Sequence, residues 1–315
     1  MSGTRGDFRW RRWVPVQVLG YVLLRAVVTV IDMFPYEMAP RIGRVLGRII
    51  RLIDRKHVRI AVKNLERSRG VCPPDEISSF IDRVYEHIGL GFVEMLMIPR
   101  LMERHQVEGY CRFHHFDTFK DVLAQGRGMI VVIGHLGNWE LGGLAVTLSG
   151  IPLHSLARPI ENPWIDRWLN RFRTQTGQEI IPKYHALGSM VRVLRKNKIL
   201  VVQIDQDARH SGVYVNFFGR PASTHRSPAV LALKFGTPIV VVNVYREGGL
   251  HHVVLSDPIL PDAYRGSADP VKALTQAYSD KFEECVRAHP EQWFWVHDRW
   301  KTAERDARKT TEALV

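Results

Sequence analysis

The chain has 315 residues, 45% of them hydrophobic, and a formal net charge of +12 at pH 7. This length and apolar content argue against a disordered chain and suit one large domain with an additional segment. The three cysteines are far apart and form no C-x-x-C pair, which argues against a disulfide framework or a zinc site and favours a reducing compartment.

The first strong feature is an apolar run from Val16 to Phe34, interrupted near its middle by Arg25. A central arginine costs about 2.5 to 3.5 kcal/mol on membrane-insertion scales, so the run is marginal as a membrane span. It lacks a small-residue cleavage site, so a removable signal peptide is not predicted. Trp10 and Trp13 lie beside arginines, a combination typical of the lipid headgroup layer. We therefore predict a membrane anchor that either spans the bilayer or lies on it.

A basic amphipathic helix is predicted within the segment from Ala39 to Ile60. Its arginines recur at steps of three and four, in the order Arg41, Arg44, Arg48, Arg51 and Arg55. No acidic residue lies on this stripe, which favours an anionic membrane surface, with an ordinary solvated face as the alternative. Residues 1–70 hold fifteen basic and five acidic side chains, so most of the net charge lies there. We predict a membrane-binding segment over residues 1–70 and an α/β domain over residues 71–315.

The second part of the chain alternates apolar runs with helical patterns. Strands are predicted at 129–133, 152–157, 199–204 and 238–245, and helices at 162–176, 185–196 and 227–235. Such alternation predicts an α/β fold in which helices flank a mostly parallel central sheet, here with an N-terminal helical membrane anchor. In such sheets, ligands bind where the strands end at their carboxyl side.

The most informative motif is GHLGNWELGG, which follows the apolar strand MIVVI. Asn138 is a favourable N-cap for a helix that contains Glu140. Five residues subtend about 500° on an ideal helix, so His135 must precede that helix if it is to meet Glu140. The motif predicts a histidine base oriented by Glu140. The alternative is a strand-end histidine hydrogen-bonded to a helix cap.

Two further polar clusters follow predicted strands. Arg158 ends one strand, and Asp205 and Asp207 follow another. A histidine base, an arginine for an oxyanion or phosphate, and an acid to position that arginine make a complete set for acyl transfer to a hydroxyl. Each residue alone has a structural alternative, as a surface arginine or a loop cap. No nucleophile elbow, P-loop, dinucleotide loop or zinc-binding helix motif occurs, which favours direct attack without a covalent enzyme intermediate.

Four motifs in order, GHLGNWELGG, LARPIENP, IDQDARHSGVYVNFFGRPAST and PEQWFWVHDRWKT, resemble the late acyltransferases of lipid A biosynthesis, a branch of the lysophospholipid acyltransferase-like enzymes. The resemblance covers essentially the whole chain. It implies a membrane-bound enzyme on the cytoplasmic face of the bacterial inner membrane. It also implies an acyl-acyl carrier protein or acyl-CoA donor, a lipid acceptor, and no metal or other cofactor.

The resemblance assigns roles to individual residues. His135 resembles the general base and Glu140 its orienting carboxylate, while Arg158 resembles the arginine of the second motif. Asp205 and Asp207 resemble the acidic pair of the third motif, and Asn138 joins the expected binding set.

The closing motif departs from the family pattern because Asp298 stands where an arginine is common. Arg299 is still expected to contact substrate. Trp293, Phe294 and Trp295 are expected in the core, on a terminal strand.

Other functions stay open at this point. The acceptor could be a lipid A precursor, a phosphatidylinositol mannoside or a lysophospholipid, because the motifs do not separate them. A non-catalytic membrane-binding protein with the same fold is a rival from another class. The high positive charge also raises nucleic-acid binding, but the basic residues are interleaved with the apolar run and no recognition motif occurs, so no nucleic-acid partner is predicted.

Overall fold

The computed structural model describes residues 13–103 and 106–312. Trp10, predicted to lie at the headgroup layer, falls outside the described residues. The helices are α1 (Val14–Ile31), α2 (Ala39–Ile53), α3 (Arg55–Glu66), α4 (Ile77–Glu103), α5 (Thr118–Leu123), α6 (Trp139–Leu148), α7 (Pro163–Gln175), α8 (Leu187–Arg195), α9 (Ser227–Phe235), α10 (Pro270–Ala288) and α11 (Lys301–Glu312). The strands are β1 (Cys111–His114), β2 (Met129–Ile133), β3 (Leu153–Ala157), β4 (Glu179–Pro182), β5 (Ile199–Gln203), β6 (Val213–Phe217), β7 (Arg220–Thr224), β8 (Ile239–Glu247) and β9 (Leu250–Leu255).

Seven of the described strands form one sheet in the order β1-β9-β8-β2-β5-β3-β4. Strands β8, β2, β5, β3 and β4 run parallel, whereas β9 is antiparallel to β8 and parallel to β1. Strands β6 and β7 form a separate antiparallel pair. The prediction of a mostly parallel sheet flanked by helices is therefore confirmed.

The central strands alternate their side chains between two buried faces, as a sheet covered on both sides requires. Ile130 and Val132 of β2 join the cluster that includes helices α8 to α10, whereas Val131 joins the cluster on the side of α5 and α6. Strand β2 is entirely apolar, and the one polar residue of β5 is its last, Gln203. Polar side chains of these two central strands therefore lie at or just beyond their carboxyl ends.

Helix α2 packs on α4 through a seam of three glycines, Gly43 and Gly47 of α2 and Gly89 of α4. A Cβ built on Gly47 would lie 2.1 Å from the carbonyl oxygen of Tyr85, and one on Gly89 would lie 2.2 Å from that of Gly43. The two backbones are thus in direct contact, which any side chain at these positions would prevent. We call this contact the glycine seam.

The remaining surface of α2 is split between arginines and exposed apolar side chains. The apolar side chains are Val45, Ile49, Leu52 and Ile53, each at least half exposed. The predicted helix and its arginine stripe are present. The expectation that the stripe has no acidic partners is wrong. Arg48 and Arg51 pair at 2.7 Å with Glu86 and Asp82 of α4, which sequence spacing along one helix could not reveal.

Helix α1 is the one helix among the described residues that is long and apolar enough to cross a membrane, judged by length and composition alone. Only 11% of this helix is buried. The division of the chain at residue 70 stays a prediction. Ala61 and Leu65 of α3, from the first segment, share a buried cluster with the sheet of the second.

The closing motif does not form the predicted terminal strand. A short 3-10 turn, Pro290–Gln292, is followed by turns in which the Trp295 amide donates to the Trp293 carbonyl at 2.9 Å. The segment is joined to the His135 loop by a single isolated bridge, Leu136 to Trp293, in which the Phe294 amide donates to the His135 carbonyl and the Gly137 amide to the Gln292 carbonyl, each at 3.1 Å. The predicted burial of Trp293 and Trp295 is confirmed, at 2% and 0% exposure. Phe294 is only partly buried.

Candidate active site

The sheet order places the carboxyl ends of four strands side by side, and three of these strands were predicted. Across β2, β5, β3 and β4, polar residues at or just past the carboxyl ends are, in spatial order, His135, Asp205, Arg158 and Lys183. Ile133 of β2 is paired with Gln203 of β5, so His135 and Asp205 each lie two residues beyond one register position. Two in-register neighbouring strands therefore bring together residues that are seventy positions apart.

His135 and Asp205 form a tightly bonded pair. The imidazole Nδ1 lies 2.8 Å from Asp205 Oδ1, and the backbone N–H of His135 donates to Oδ2 at 2.7 Å. The indole N–H of Trp293 donates to the same Oδ2 at 2.9 Å. A carboxylate at Nδ1 keeps the proton on that nitrogen, which leaves Nε2 of the neutral ring as the proton acceptor.

The charges of this pair stabilise each other in a buried setting. Burial alone would raise the pKa of Asp205, but His135 and the hydrogen bonds to the carboxylate hold that pKa well below its usual value. Burial alone would lower the pKa of His135, but Asp205, with a smaller contribution from Glu140, raises it above the ordinary value. The imidazolium that forms on proton abstraction is thereby favoured.

The structure corrects the predicted partner of His135. Glu140 does not hydrogen-bond to the imidazole, because Arg173 of α7 binds both of its oxygens, with Nε to Oε2 at 3.0 Å and Nη2 to Oε1. The carboxylate on Nδ1 belongs to Asp205, which was predicted instead to position an arginine. Local spacing favoured Glu140, whereas the true partner comes from the neighbouring strand.

Asn138 caps α6 as predicted. Its Oδ1 accepts the N–H of Leu141 at 3.0 Å, and its Nδ2 donates to Glu94 at 3.0 Å. Glu94 of α4 is 1% exposed and also accepts from Tyr36 and Arg246. A buried carboxylate thus fixes the cap that follows the histidine loop. A direct contact of Asn138 with substrate stays a prediction.

An apolar groove opens beside the His135 ring. It is lined by Ile88, Phe92 and Met95 of α4 together with Trp139 and Phe294, and its volume is about 180 Å³. The Trp139 and His135 rings meet edge to face, with centroids 4.6 Å apart. The groove therefore offers hydrocarbon-like surface next to the candidate base.

A second cavity, the inner cavity, lies beneath the sheet and α6 and has a volume of about 80 Å³. Its walls include Val131, Val201 and Val242 of three neighbouring strands. Trp139 and Glu140 line both the groove and the inner cavity, so the two spaces adjoin at the start of α6. The walls of both spaces are mostly apolar, with Glu140 at their boundary and its partner Arg173 in the wall of the inner cavity.

Three exposed cations lie at the ends of β3 and β4 and beyond β5. Arg158 and Lys183 follow the register pair Ala157–Pro182, and the Lys183 amide donates to the Ala157 carbonyl at 2.9 Å. The pKa of Lys183 is lowered by partial desolvation of its ammonium group by the surrounding protein, then by the charges of Arg158 and Arg209. These three residues, the cation cluster, repel one another and suit an anionic ligand.

Two other predicted site residues have structural partners. Asp207 accepts the hydroxyl hydrogen of Thr302 at 2.6 Å, and its backbone N–H donates to His297. Arg299 is 1% exposed and donates to the Ser223 carbonyl at 2.6 Å, so the predicted substrate contact of Arg299 is wrong. A fully buried guanidinium bonded to backbone joins the β5–β6 loop to the closing motif.

Sequence reasoning missed several residues of the site: Glu94, Arg173, Lys183, Arg209 and Trp293 as a polar contact. Only Glu94 carried a local signal, as a lone acid in the apolar stretch GFVEMLMI. Within the described residues, no group of three or more His, Cys, Asp or Glu side chains is arranged to hold a metal ion. The absence of a metal from the reaction stays a prediction.

Comparison with known proteins agrees with the motifs. The family model described as "Bacterial lipid A biosynthesis acyltransferase" matches residues 6–302. The chain is 25% identical over 298 residues to the lipid A biosynthesis lauroyltransferase of Escherichia coli K12, covering 93% of this chain and 92% of that protein. It is 27% identical over 277 residues to the palmitoleoyltransferase of the same organism, covering 85% and 86%.

The chain is also similar to a phosphatidylinositol mannoside acyltransferase of Mycobacterium tuberculosis, with 25% identity over 255 residues and 78% of each chain covered. The relatives support an acyltransferase that acts on glycolipids, and the family suggests association with a membrane. The resemblance predicted from the four motifs is confirmed. By the match over nearly its whole length, this chain belongs to the bacterial lipid A biosynthesis acyltransferase family.

Proposed function

We propose that the protein transfers a fatty acyl group from a thioester, on acyl carrier protein or coenzyme A, to a hydroxyl of a lipid A precursor. The observation that supports this most directly is the His135–Asp205 pair, which holds a proton-accepting imidazole beside an apolar groove. A base next to hydrocarbon-like surface suits an alcohol nucleophile and a fatty acyl donor.

The proposed reaction has two steps. His135 Nε2 removes the proton from the acceptor hydroxyl as its oxygen attacks the thioester carbonyl carbon. The tetrahedral intermediate then collapses, its carbon–sulfur bond breaks, and the leaving sulfur takes the proton from the imidazolium. The products are an ester and a free thiol. Asp205 orients the ring and stabilises its charge throughout.

The oxyanion of the intermediate needs donors that are not already bonded. The His135 amide donates to Asp205 and the Gly137 amide to the Gln292 carbonyl. The Leu141 amide is bonded to Asn138 Oδ1, so we propose the Trp139 and Glu140 amides at the start of α6, beside the His135 ring, with Arg158 as the alternative. Glu140, held by Arg173, adds negative charge near the imidazolium.

The groove and the inner cavity suit the acyl chain. Burying one methylene is worth about 0.8 kcal/mol, so a long chain leaves water only for a continuous apolar surface. The groove beside His135 and the inner cavity behind Trp139 offer such a surface in two adjoining parts, and we propose that the acyl chain passes from one to the other. We place the carbonyl end of the chain at the groove and its methyl end toward the inner cavity.

The cation cluster suits the phosphate of a glycolipid headgroup. Strand β3 is two strands from β2, about 10 Å at the usual spacing of neighbouring strands. Along the sheet edge, Arg158 therefore lies about 10 Å from His135, and Lys183, at the end of the next strand β4, about 14 Å. A headgroup that carries both a phosphate and a free hydroxyl can bridge that distance.

The N-terminal helices suit attachment to the cytoplasmic face of the inner membrane. Helix α1 is largely exposed and apolar, and α2 presents its apolar side chains beside the arginine stripe. Such a combination favours insertion into an anionic bilayer surface. We expect deletion of residues 1–35 to abolish co-sedimentation with anionic vesicles. Unchanged sedimentation would contradict the anchor.

The direct test is His135→Ala with a purified lipid A precursor and acyl-acyl carrier protein, followed by mass spectrometry of the lipid. Loss of a general base typically costs 10²- to 10⁴-fold in turnover, and we expect a loss in that range at a temperature where circular dichroism shows the variant folded, because removing the buried partner of Asp205 also lowers the melting temperature. His210→Ala, at an exposed histidine of the β5–β6 loop, is the matched control. Full activity of His135→Ala would refute the mechanism.

A second acceptor is supported by the mycobacterial relatives, which are named phosphatidylinositol mannoside acyltransferases. Their identity to this chain, 25% and 26%, is close to the 25% of the lauroyltransferase. The same assay with both acceptors, at equal donor, decides between them. Added mass on only one lipid identifies the acceptor.

A further inference from the structure

A large cavity lies outside the site described above, between α1, the end of α4, and α7. Its volume is about 820 Å³, and none of its lining residues also lines the groove beside His135. We call it the arginine cavity, because Arg25, Arg100, Arg167 and Arg171 line it. The sequence motifs assign it no role.

The charge of the arginine cavity is positive. Four arginines from three helices face two acids, Asp32 and Glu103. Arg100 donates to the backbone carbonyls of Asp32 and Phe34, and this bond fixes the turn after α1. Four guanidinium groups around one space create a potential that attracts an anion.

The aromatic residues of the cavity are typical of a membrane interface. The Tyr21 and Trp164 rings lie 6.3 Å apart, joining α1 to α7, and Arg167 stacks over Trp164 at 4.4 Å. Trp164 is 39% exposed. Indole and phenol rings next to arginines favour the headgroup layer of a bilayer.

The docking of α1 fixes the direction in which Arg25 points. Asn162 caps α7 with its Oδ1 and donates from Nδ2 to the Gln17 carbonyl at 2.8 Å. This contact turns Arg25, the one charged side chain of α1, into the arginine cavity rather than toward the apolar exposed side chains of the helix. A charge that is costly in hydrocarbon is thus placed where an anion can neutralise it.

We propose that the arginine cavity binds the phosphate group of a membrane amphiphile, separately from the reacting hydroxyl at His135. The ligand must be anionic because cations outnumber acids, and it must be amphiphilic because one wall is an apolar helix. Basic pockets between membrane-proximal helices bind phospholipid headgroups for the same reasons. The source of the phosphate is either bulk anionic phospholipid or the acceptor itself.

The test uses the full chain in nanodiscs that contain equal amounts of phosphatidylglycerol and phosphatidylcholine. Native mass spectrometry counts the lipids retained on release. The variant Arg25→Gln/Arg171→Gln removes two cavity charges, and Arg41→Gln/Arg44→Gln removes two charges from the exposed stripe of α2. We expect the cavity variant to lose about tenfold or more of its phosphatidylglycerol retention relative to the control.

The outcomes separate the possible ligands. Loss of retention in the cavity variant alone identifies bulk phospholipid. Unchanged retention with a raised KM for the acceptor identifies the acceptor's phosphate, and both results support the site. Equal loss in the two variants, or no change in retention and KM, overturns it. Weakened binding of acyl carrier protein with unchanged lipid retention and acceptor KM also overturns it, in favour of a protein partner.

Discussion

Gly143 offers a way to test where the acyl chain ends. It lies in α6 and lines the inner cavity, and a Cβ built on it meets no heavy atom within 4 Å. The variant Gly143→Leu therefore adds four carbon atoms to this space without displacing a neighbour at the Cβ position. Helix propensity also improves by several tenths of a kcal/mol or more, so folding is not expected to suffer.

The magnitude follows from the methylenes that leucine displaces. If each displaced methylene loses about 0.8 kcal/mol of burial, three to four of them cost about 3 kcal/mol, or roughly a hundredfold in kcat/KM for a chain that fills the cavity. A donor short enough to end in the groove loses nothing. The preferred chain should therefore become shorter by about three to four carbons.

The assay measures kcat/KM for donors from octanoyl to palmitoyl, with the transferred mass read by mass spectrometry. Gly188→Leu is the matched control, because Gly188 is an exposed helical glycine of α8 whose Cβ also meets nothing within 4 Å. An unchanged chain preference in Gly143→Leu would refute the placement of the acyl chain. A uniform loss for all donors would point to damage at His135 instead.

Three further predictions follow from named contacts. Asp205→Asn should lower kcat/KM about 10²- to 10⁴-fold. Because Asp205 raises the pKa of His135 against the effect of burial, the acidic limb of the pH profile of the variant should move to lower pH. An unmoved limb would contradict the pairing. Glu94→Gln should cost about 3 to 5 kcal/mol of unfolding free energy in urea titrations, whereas Glu86→Gln, from an exposed pair, should cost less than about 1. The pKa of Glu94 is lowered despite its burial, so its contribution is present above the unfolded pKa and lost as pH falls through the folded value. Arg158→Ala/Lys183→Ala should raise the acceptor KM about tenfold for a phosphorylated lipid and leave it unchanged for the dephosphorylated one, and equal effects on both would exclude a phosphate contact.

The parts of the fold that sequence could predict are those with a strong period. Strand β2 and helix α9 begin and end at the predicted residues, because the residue pattern of each element is uninterrupted from its first residue to its last. The short edge strands β1 and β4 and the β6–β7 pair were not predicted. Each has only four or five residues with weak alternation, and neighbouring strands rather than local preference hold it in place.

In the candidate site, too, the contacts between strands could not be predicted from local sequence. Sequence identified His135 and Asp205 separately, as polar residues at strand ends, but it could not join them. Their contact depends on β2 and β5 being neighbours, although β3 and β4 lie between them in the chain. The burial of Arg299 was also hidden, because an arginine in a motif gives no sign of which backbone carbonyls surround it.

The glycine seam has a mechanical consequence. Where two helices touch backbone to backbone, no layer of side chains lies between them to absorb a displacement. We therefore expect α2 and α4 to move together as a rigid unit. The far side of α4 carries Ile88, Phe92 and Met95, which form one wall of the groove. In the proposed membrane-bound state, a change in the angle of α2 at the lipid surface would therefore also move this wall of the groove. The three glycines, rather than the loops that connect the helices, would couple the two.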